Sequence, residues 1–200
     1  MSPTHPDQVL ALARTRGVIR ARDLMPLGIP RTALTRLVDR GALVRVGRGL
    51  YRVPDAEVTT HHSLVQVSAR VPGCVVNLIS ALSFHELTNE LPVAVWIALP
   101  RGHRGPRVES PRLELTWTTP ALLTLGITRQ TIEGVEVAVT DPARTVVDCF
   151  RHRSRVGLDV ALAALRDYLT RYRGGRDELW RMADAGRVQS VMRPYLESLS

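Results

Sequence analysis

No lysine occurs among the 200 residues; all 27 basic side chains are arginine. A phosphate loop of the GxxxxGK[ST] type, a Schiff-base enzyme and a lysine-dependent metal nuclease each need a lysine, so none can be built from this chain. Cysteine is almost as scarce. Cys74 and Cys149 lie far apart, each flanked by apolar residues, and read as buried, inert thiols. The longest continuous apolar run, residues 93–99, is far too short to cross a bilayer. The opening MSPTHPDQ is polar and holds no apolar signal core, so the expected compartment is the cytoplasm, with no membrane partner. Internal repeats and low-complexity linkers are also missing. What remains is a chain with 44% hydrophobic and 23% charged residues, enough for a real core and ordinary for a folded protein.

The most informative stretch is residues 17–53, GVIRARDLMPLGIPRTALTRLVDRGALVRVGRGLYRV. It reads as two short helices joined by a tight turn, followed by a two-stranded hairpin. Pro30 suits a first helical position, where no amide bond is lost. Leu34, Leu37 and Val38 recur at i, i+3 and i+4 as an apolar stripe, and the opposite face carries Arg31, Thr32, Thr35, Arg36, Asp39 and Arg40. Gly41 is placed to cap that helix in the left-handed conformation. Residues 42–46 and 50–53 are strand-like, turning at Gly47-Arg48-Gly49. A helix–turn–helix followed by a basic hairpin is a winged helix, whose second helix can enter a DNA major groove.

Winged helices also serve as protein-interaction modules, and an arginine-rich helix face is often merely solvated. Charge distribution separates the readings. Residues 1–54 hold ten arginines against Asp7, Asp23 and Asp39, a balance of +7, whereas the other 146 residues carry only +1 of the total of +8. Solvation needs charge but not such one-sidedness; a phosphate-binding surface does, because neutralised phosphates release counterions. The expected DNA-binding residues are Arg20, Arg22, Arg31, Thr32, Thr35, Arg36, Arg40, Arg45, Arg48 and Arg52, with Arg20 and Arg22 on phosphates.

In chain order, residues 6–16 form a first helix with Asp7 as N-cap, residues 18–19 a short strand, and residues 21–25 a short helix. After Pro54-Asp55 come a helix over 63–71, a buried strand over 74–78, a helix from Ser80 to Leu87 with Ser80 as cap, and a strand over 93–99. Residues 101–107 form a basic loop. Leu113, Leu115 and Trp117 alternate with polar residues as a half-buried strand. Residues 127–132 and 135–139 pair across Glu133-Gly134. Asp141 as N-cap with Pro142 at the first helical position is a strong helix start, and Arg144 and Asp148 can pair on its surface. Beyond Gly157 the chain is helical, with core-facing stripes of Leu158, Leu162, Leu165 and Leu169, then Val188, Val191, Met192, Tyr195, Leu196 and Leu199.

Candidate catalytic and metal clusters fail on spacing. His85-Glu86-Leu87-Thr88-Asn89 begins like HExxH, but Asn89 stands where the second ligand must be. His61 and His62 are adjacent, point apart, and have no ligand partners at suitable spacing. No GxSxG occurs, and Asp141 is better explained as a cap than as an acid. The expectation is therefore no enzyme, no metal and no cofactor.

Residues 42–54, ALVRVGRGLYRVP, following the Arg-Thr-rich helix, resemble the winged-helix N-terminus of AbiEi-type antitoxins of type IV, abortive-infection toxin–antitoxin pairs. Ser80-Ala81-Leu82-Ser83-Phe84-His85-Glu86-Leu87, the Val95–Pro100 strand with its basic loop, and the stretch from Thr140 to Asp148 resemble that family's second domain. The match spans roughly residues 8–170. The resemblance implies a repressor that binds inverted repeats in its own promoter. It also implies a second domain that counteracts a nucleotidyltransferase-like toxin without a stable complex being required. By the same resemblance the DNA-reading surface is Arg31, Thr32, Thr35 and Arg36 on the helix and Arg45, Arg48 and Arg52 on the wing.

The expected fold is α+β: a winged helix over residues 1–55, then a mixed α/β antitoxin-type domain with C-terminal helices over 56–200. The leading function is a DNA-binding autorepressor and antitoxin. A stand-alone winged-helix regulator without a toxin is the first alternative. A nucleic-acid-processing enzyme built on the loop at residues 101–107 with Glu109 and Glu114 is the second, and a pure protein-interaction module the third.

Overall fold

The computed structural model describes residues 4–55 and 59–199. The chain separates into two compact units, Met1–Pro72 with Gln130–Val137, and Gly73–Arg129 with Ala138–Ser200.

The first unit is a winged helix extended by one helix and a hairpin tip. Helix α1 (His5–Arg16) leads into strand β1 (Val18–Arg20), a 3₁₀ turn (Ala21–Leu27) and helix α2 (Thr32–Asp39). Strands β2 (Val44–Gly47) and β3 (Leu50–Arg52) form the wing, and β3 is the centre of an antiparallel sheet ordered β1-β3-β2. Helix α3 (His62–Arg70) follows. Val9 and Ala13 of α1, Ile19, Leu24 and Ile29, Leu34 and Leu37 of α2, and Leu43 make its core.

Local chemistry explains the ends. The cap of α1 is Thr4 rather than Asp7: the Asp7 amide donates to the Thr4 hydroxyl, and the Asp7 carboxylate accepts from the Thr4 amide at 3.2 Å. Asp7 is the acidic third residue of a capping box, satisfying an amide that α1 cannot. Pro30 lies just outside α2, its carbonyl accepting from Ala33, while Gly41 (φ 69°) ends the segment in the left-handed conformation. Gly49 (φ 73°) turns the wing.

The compact units do not divide at residues 55/56, and residue 56 itself lies outside the described residues. Helix α3 stays with the wing because Gln66 Nε2 donates to the Val46 carbonyl at 3.2 Å and the Arg70 guanidinium lies against Gly47. Residues Gln130–Val137 join the same unit through Glu133, which binds Thr59 and His62, and through Gly17 and Gly134. A Cβ on Gly17 would overlap the Glu133 carbonyl, and one on Gly134 would overlap the Arg16 carbonyl; both glycines also have positive φ. Contacts of this kind join residues over a hundred positions apart and leave no composition break at either crossing.

The second unit is built on strands β4 (Val75–Val76), β5 (Val95–Pro100), β6 (Leu113–Thr118), β7 (Ile127–Ile132) and β8 (Val135–Thr140) in the order β6-β5-β4-β8-β7. Strand β4 is antiparallel to β5 and parallel to β8; β5 and β6 are parallel. The turn between β7 and β8 is the segment counted with the first unit. Helices α4 (Leu78–Phe84), α5 (Pro142–Arg151), α6 (Arg153–Val156), α7 (Leu158–Arg171), α8 (Arg176–Ala185) and α9 (Gln189–Ser198) surround one core centred on Phe150, Leu82, Leu165, Leu179 and Met192. Among the described residues no helix is long and apolar enough to cross a membrane.

Four expectations for this unit change. Helix α4 starts after Asn77, not at Ser80, whose hydroxyl instead accepts from Trp96 N at 2.9 Å. On β6 it is Thr116 that is buried, while Trp117 is 47% exposed with its indole N–H on the His103 carbonyl. Leu158 lies outside the core, and α7 instead buries Val160, Ala161, Ala164, Leu165 and Tyr168. The Arg144–Asp148 pair is not on the surface but buried, at 2.9 Å, with side chains 4% and 7% exposed. Asp141 does cap α5, accepting from the Arg144 amide at 2.7 Å.

Candidate nucleic-acid interface

Helix α2 is short and sharply two-sided. Ala33, Leu34 and Leu37 are buried, whereas Arg31, Thr32, Thr35, Arg36 and Arg40 are exposed. The apolar stripe holds the helix to α1, leaving the polar residues free to meet a ligand. Thr32, Arg36 and Arg40, spaced at i, i+4 and i+8, share one wall of a groove of about 280 Å³ with His5 and Pro6 at the start of α1. Arg31 and Thr35, also four apart, lie to the side of it.

The wing presents a second basic group. Arg48 is exposed at the hairpin turn, and Arg45 is exposed on β2 with its Nε on the Gly47 carbonyl at 3.2 Å. A ladder irregularity between Arg45 and Gly47 twists the strand there, as a bulge does. The Ala21 amide donates to the Gly49 carbonyl at 3.2 Å, which sets Arg20 and exposed Arg22 beside the wing turn rather than beside α2. Arg20 is half-buried, and its amide donates to Asp23 Oδ2 at 2.8 Å to close the 3₁₀ turn.

Arg52 is the exception. It stands at the far end of β3, paired with Val18 and Val44, and its Nη1 donates to the Val53 and Pro54 carbonyls at 3.3 Å. These bonds tie it to the chain leaving the sheet. The ten residues therefore form a helix group (Arg31, Thr32, Thr35, Arg36, Arg40), a wing group (Arg20, Arg22, Arg45, Arg48) and Arg52 at the far end of β3.

Sequence reasoning missed the groups behind the wing. Glu133 Oε1 accepts from the Thr59 amide at 2.8 Å and its hydroxyl at 3.0 Å, and Oε2 accepts from His62 Nδ1 at 2.6 Å. Burial pushes the Glu133 carboxyl up, but the hydrogen bonds from Thr59 and His62 outweigh it and hold the group below its ordinary value. His62 Nε2 in turn meets Gln66 Nε2 at 3.0 Å, and Gln66 reaches the Val46 carbonyl. The adjacent histidines drew notice only as metal ligands, a reading their spacing rejects, and gave no sign of this chain of contacts.

The groups weighed for catalysis have other partners. His85 Nε2 donates to the Thr140 carbonyl at 2.7 Å, and burial lowers its pKa. Glu114 is held by Arg155 at 2.9 Å, with the Arg155 guanidinium also 4.8 Å from the centre of the Trp96 ring. Cys149 is fully buried, which pushes its thiol up and leaves it unreactive.

Residues 7–54 match the family described as a transcriptional regulator, AbiEi antitoxin. Among solved structures, the chain is similar to the crystal structure of the RV2827C protein from Mycobacterium tuberculosis. The TM-score is 0.58 at 20% identity, over 92% of this chain and 72% of that one, a likeness of fold. No protein of curated function matches the chain.

Proposed function

We propose that the protein is a DNA-binding autorepressor and the antitoxin of a type IV pair, with its two tasks divided between the two units. Helix α2 enters a major groove with Arg36 and its neighbours on base edges, while Arg48, Arg45 and Arg22 meet the flanking phosphates and minor groove. Arg20 and Arg40 extend the phosphate contacts, and the operator is an inverted repeat in the protein's own promoter. The second unit counteracts a nucleotidyltransferase-like toxin, with no stable complex needed. The observation that carries this reading is the AbiEi-antitoxin match over 7–54, which covers the exposed Arg-Thr face of α2 and the arginine-tipped wing.

The test uses the full chain in two assays. Gel shift against the DNA upstream of its own gene should give a specific complex whose affinity falls steeply with salt, as phosphate neutralisation demands. Co-expression with the neighbouring reading frame should restore colony formation when that frame alone is toxic. Salt-independent or absent DNA binding overturns the repressor half. A toxic neighbour that the chain fails to counter overturns the antitoxin half.

A further inference from the structure

Helix α5 is buried on both sides, and one side is charged. Ala143, Val146, Val147 and Phe150 enter the main core, whereas Arg144, Asp148, Arg151 and His152 recur at i, i+4, i+7 and i+8 on the other face. That face, with Asn77 and Thr116 of the sheet side, walls a partly enclosed cavity with about 40 Å³ open to the centre of a water molecule. Taking an ion pair such as Arg144–Asp148 out of water costs several kcal/mol per ion, and apolar residues of equal volume often serve stability as well or better. Stability alone therefore does not account for charge here.

The hydrogen bonds around the cavity leave specific capacity unused. Arg144 Nε lies 2.9 Å from Asp148 Oδ2 as an ion pair without making a hydrogen bond, and Nη1 donates to the Leu122 and Leu125 carbonyls. Among the described residues Arg151 donates through Nη1, to the Gly186 carbonyl at 3.3 Å. The Thr116 hydroxyl donates to the Ile97 carbonyl, so it must accept from Asn77 Nδ2 at 2.7 Å, which fixes the orientation of the amide. Asn77 is 3% exposed, and its Oδ1 has no hydrogen-bond partner among the described residues. The walls thus combine guanidinium donors with two acceptors, Asn77 Oδ1 and the second oxygen of Asp148. Burial lowers the His152 pKa, so the ring is counted as neutral and the wall carries a net positive charge.

We propose that this cavity binds hydrogenphosphate. Its size decides against anything larger: the space suits about three waters, enough for a tetrahedral oxyanion and too little for a base or sugar. Its chemistry selects within the oxyanions. Arg151 and Arg144 donate to the ligand, as guanidinium does to phosphate generally, while the Asp148 carboxylate requires a hydrogen in return. Hydrogenphosphate keeps a P–OH that supplies it. Sulfate has none at neutral pH and would set acceptor against acceptor.

The test is calorimetric titration and thermal melting of the full chain with inorganic phosphate, and with sulfate at matched ionic strength. The expected result is saturable stabilisation by phosphate, with sulfate bound at least about tenfold more weakly because like charges meet at Asp148. Arg151→Gln should lose the phosphate response while keeping the unliganded melting temperature, since Arg151 is only half-buried. Asp148→Asn, if it folds, should admit sulfate. Methyl phosphate and a nucleoside 5′-monophosphate, mainly dianions without a P–OH at neutral pH, should bind about as weakly as sulfate, and binding of either as tight as that of inorganic phosphate would overturn the role of Asp148. An equal response to sulfate would transfer the effect to the arginine-rich surface and overturn the site, as would an Arg151→Gln protein that responds like the wild type.

Discussion

Glu133 and His62, 71 residues apart, share a 2.6 Å hydrogen bond between carboxylate and imidazole. The Gln66 amide has hydrogens for both the Val46 carbonyl and His62 Nε2, so Nε2 is the acceptor and Nδ1–H donates to Glu133. A hairpin tip is thereby linked, through two side chains of α3, to the wing strand β2. The wing hairpin is supported from behind by residues outside residues 17–53.

That link makes the first unit acid-sensitive. The Glu133 carboxyl is held below its ordinary value of 4.5, so it contributes stability above that pH and loses it as pH falls through the depressed value. Glu133→Gln should lower stability at neutral pH by about 1.5–3 kcal/mol, the range for hydrogen bonds to a charged group. Its melting temperature should converge with the wild type in acid. Parallel melting curves across pH 3–7 would refute the assignment.

Gly134→Ala should be more damaging than a typical surface change. The substitution meets both a positive φ, costing about 1 kcal/mol for a non-glycine residue, and the Arg16 carbonyl, which cannot retreat as a side-chain tip could. Gly49→Ala, with φ 73° and open space, meets only the first penalty. Urea melts should rank Gly134→Ala clearly below Gly49→Ala.

Arg36→Ala tests the recognition helix. Arg36 is exposed at the middle of α2, one turn beyond Thr32, on the opposite face from the buried Leu34 and Leu37. A lost bidentate guanine contact should cost about 1–3 kcal/mol of operator affinity and relax preference at one base pair. Unchanged affinity in a gel-shift titration, with folding intact, would remove it from the interface.

Arg48→Ala tests the wing. Loss of one phosphate contact should weaken all sequences alike and reduce the salt slope by roughly 0.9. A sequence-selective loss with the slope unchanged would place Arg48 on a base instead. Arg52→Ala, by contrast, should act mainly on stability, because its guanidinium orders the Val53–Pro54 exit.

What was readable in the sequence was what neighbours determine. The Leu34–Leu37 stripe, the turn glycine Gly49 and the Asp141-Pro142 helix start are set by residues within one or two turns, and the structure places them as expected, whereas Gly47 ends strand β2 without a positive φ. Arg144 and Asp148 had the spacing of a surface pair, and only the packing of α5 against the sheet turned that face inward. Trp117 alternates like a core residue, but β6 is an edge strand whose buried position is Thr116, facing Asn77. Asp7 could be placed at a helix start from its neighbours, but choosing between cap and third residue depended on Thr4. Partners such as Glu133 and Thr59 leave no local trace, because each residue alone looks like ordinary turn chemistry.

The pairing of Gly17 with the Glu133-Gly134 turn has a temporal side. Every segment of the winged helix up to Arg52 is synthesised early, but the piece that closes behind it is not made until residue 137. At about 5–20 residues per second, the 65 residues between Pro72 and Val137 delay that piece by roughly 3–13 s. A nascent chain therefore exposes Gly17 and the back of the wing while the first part of the second unit, Gly73–Arg129, is being translated. Chains released before residue 133 carry the arginines of α2 and the wing without the carboxylate that braces the wing.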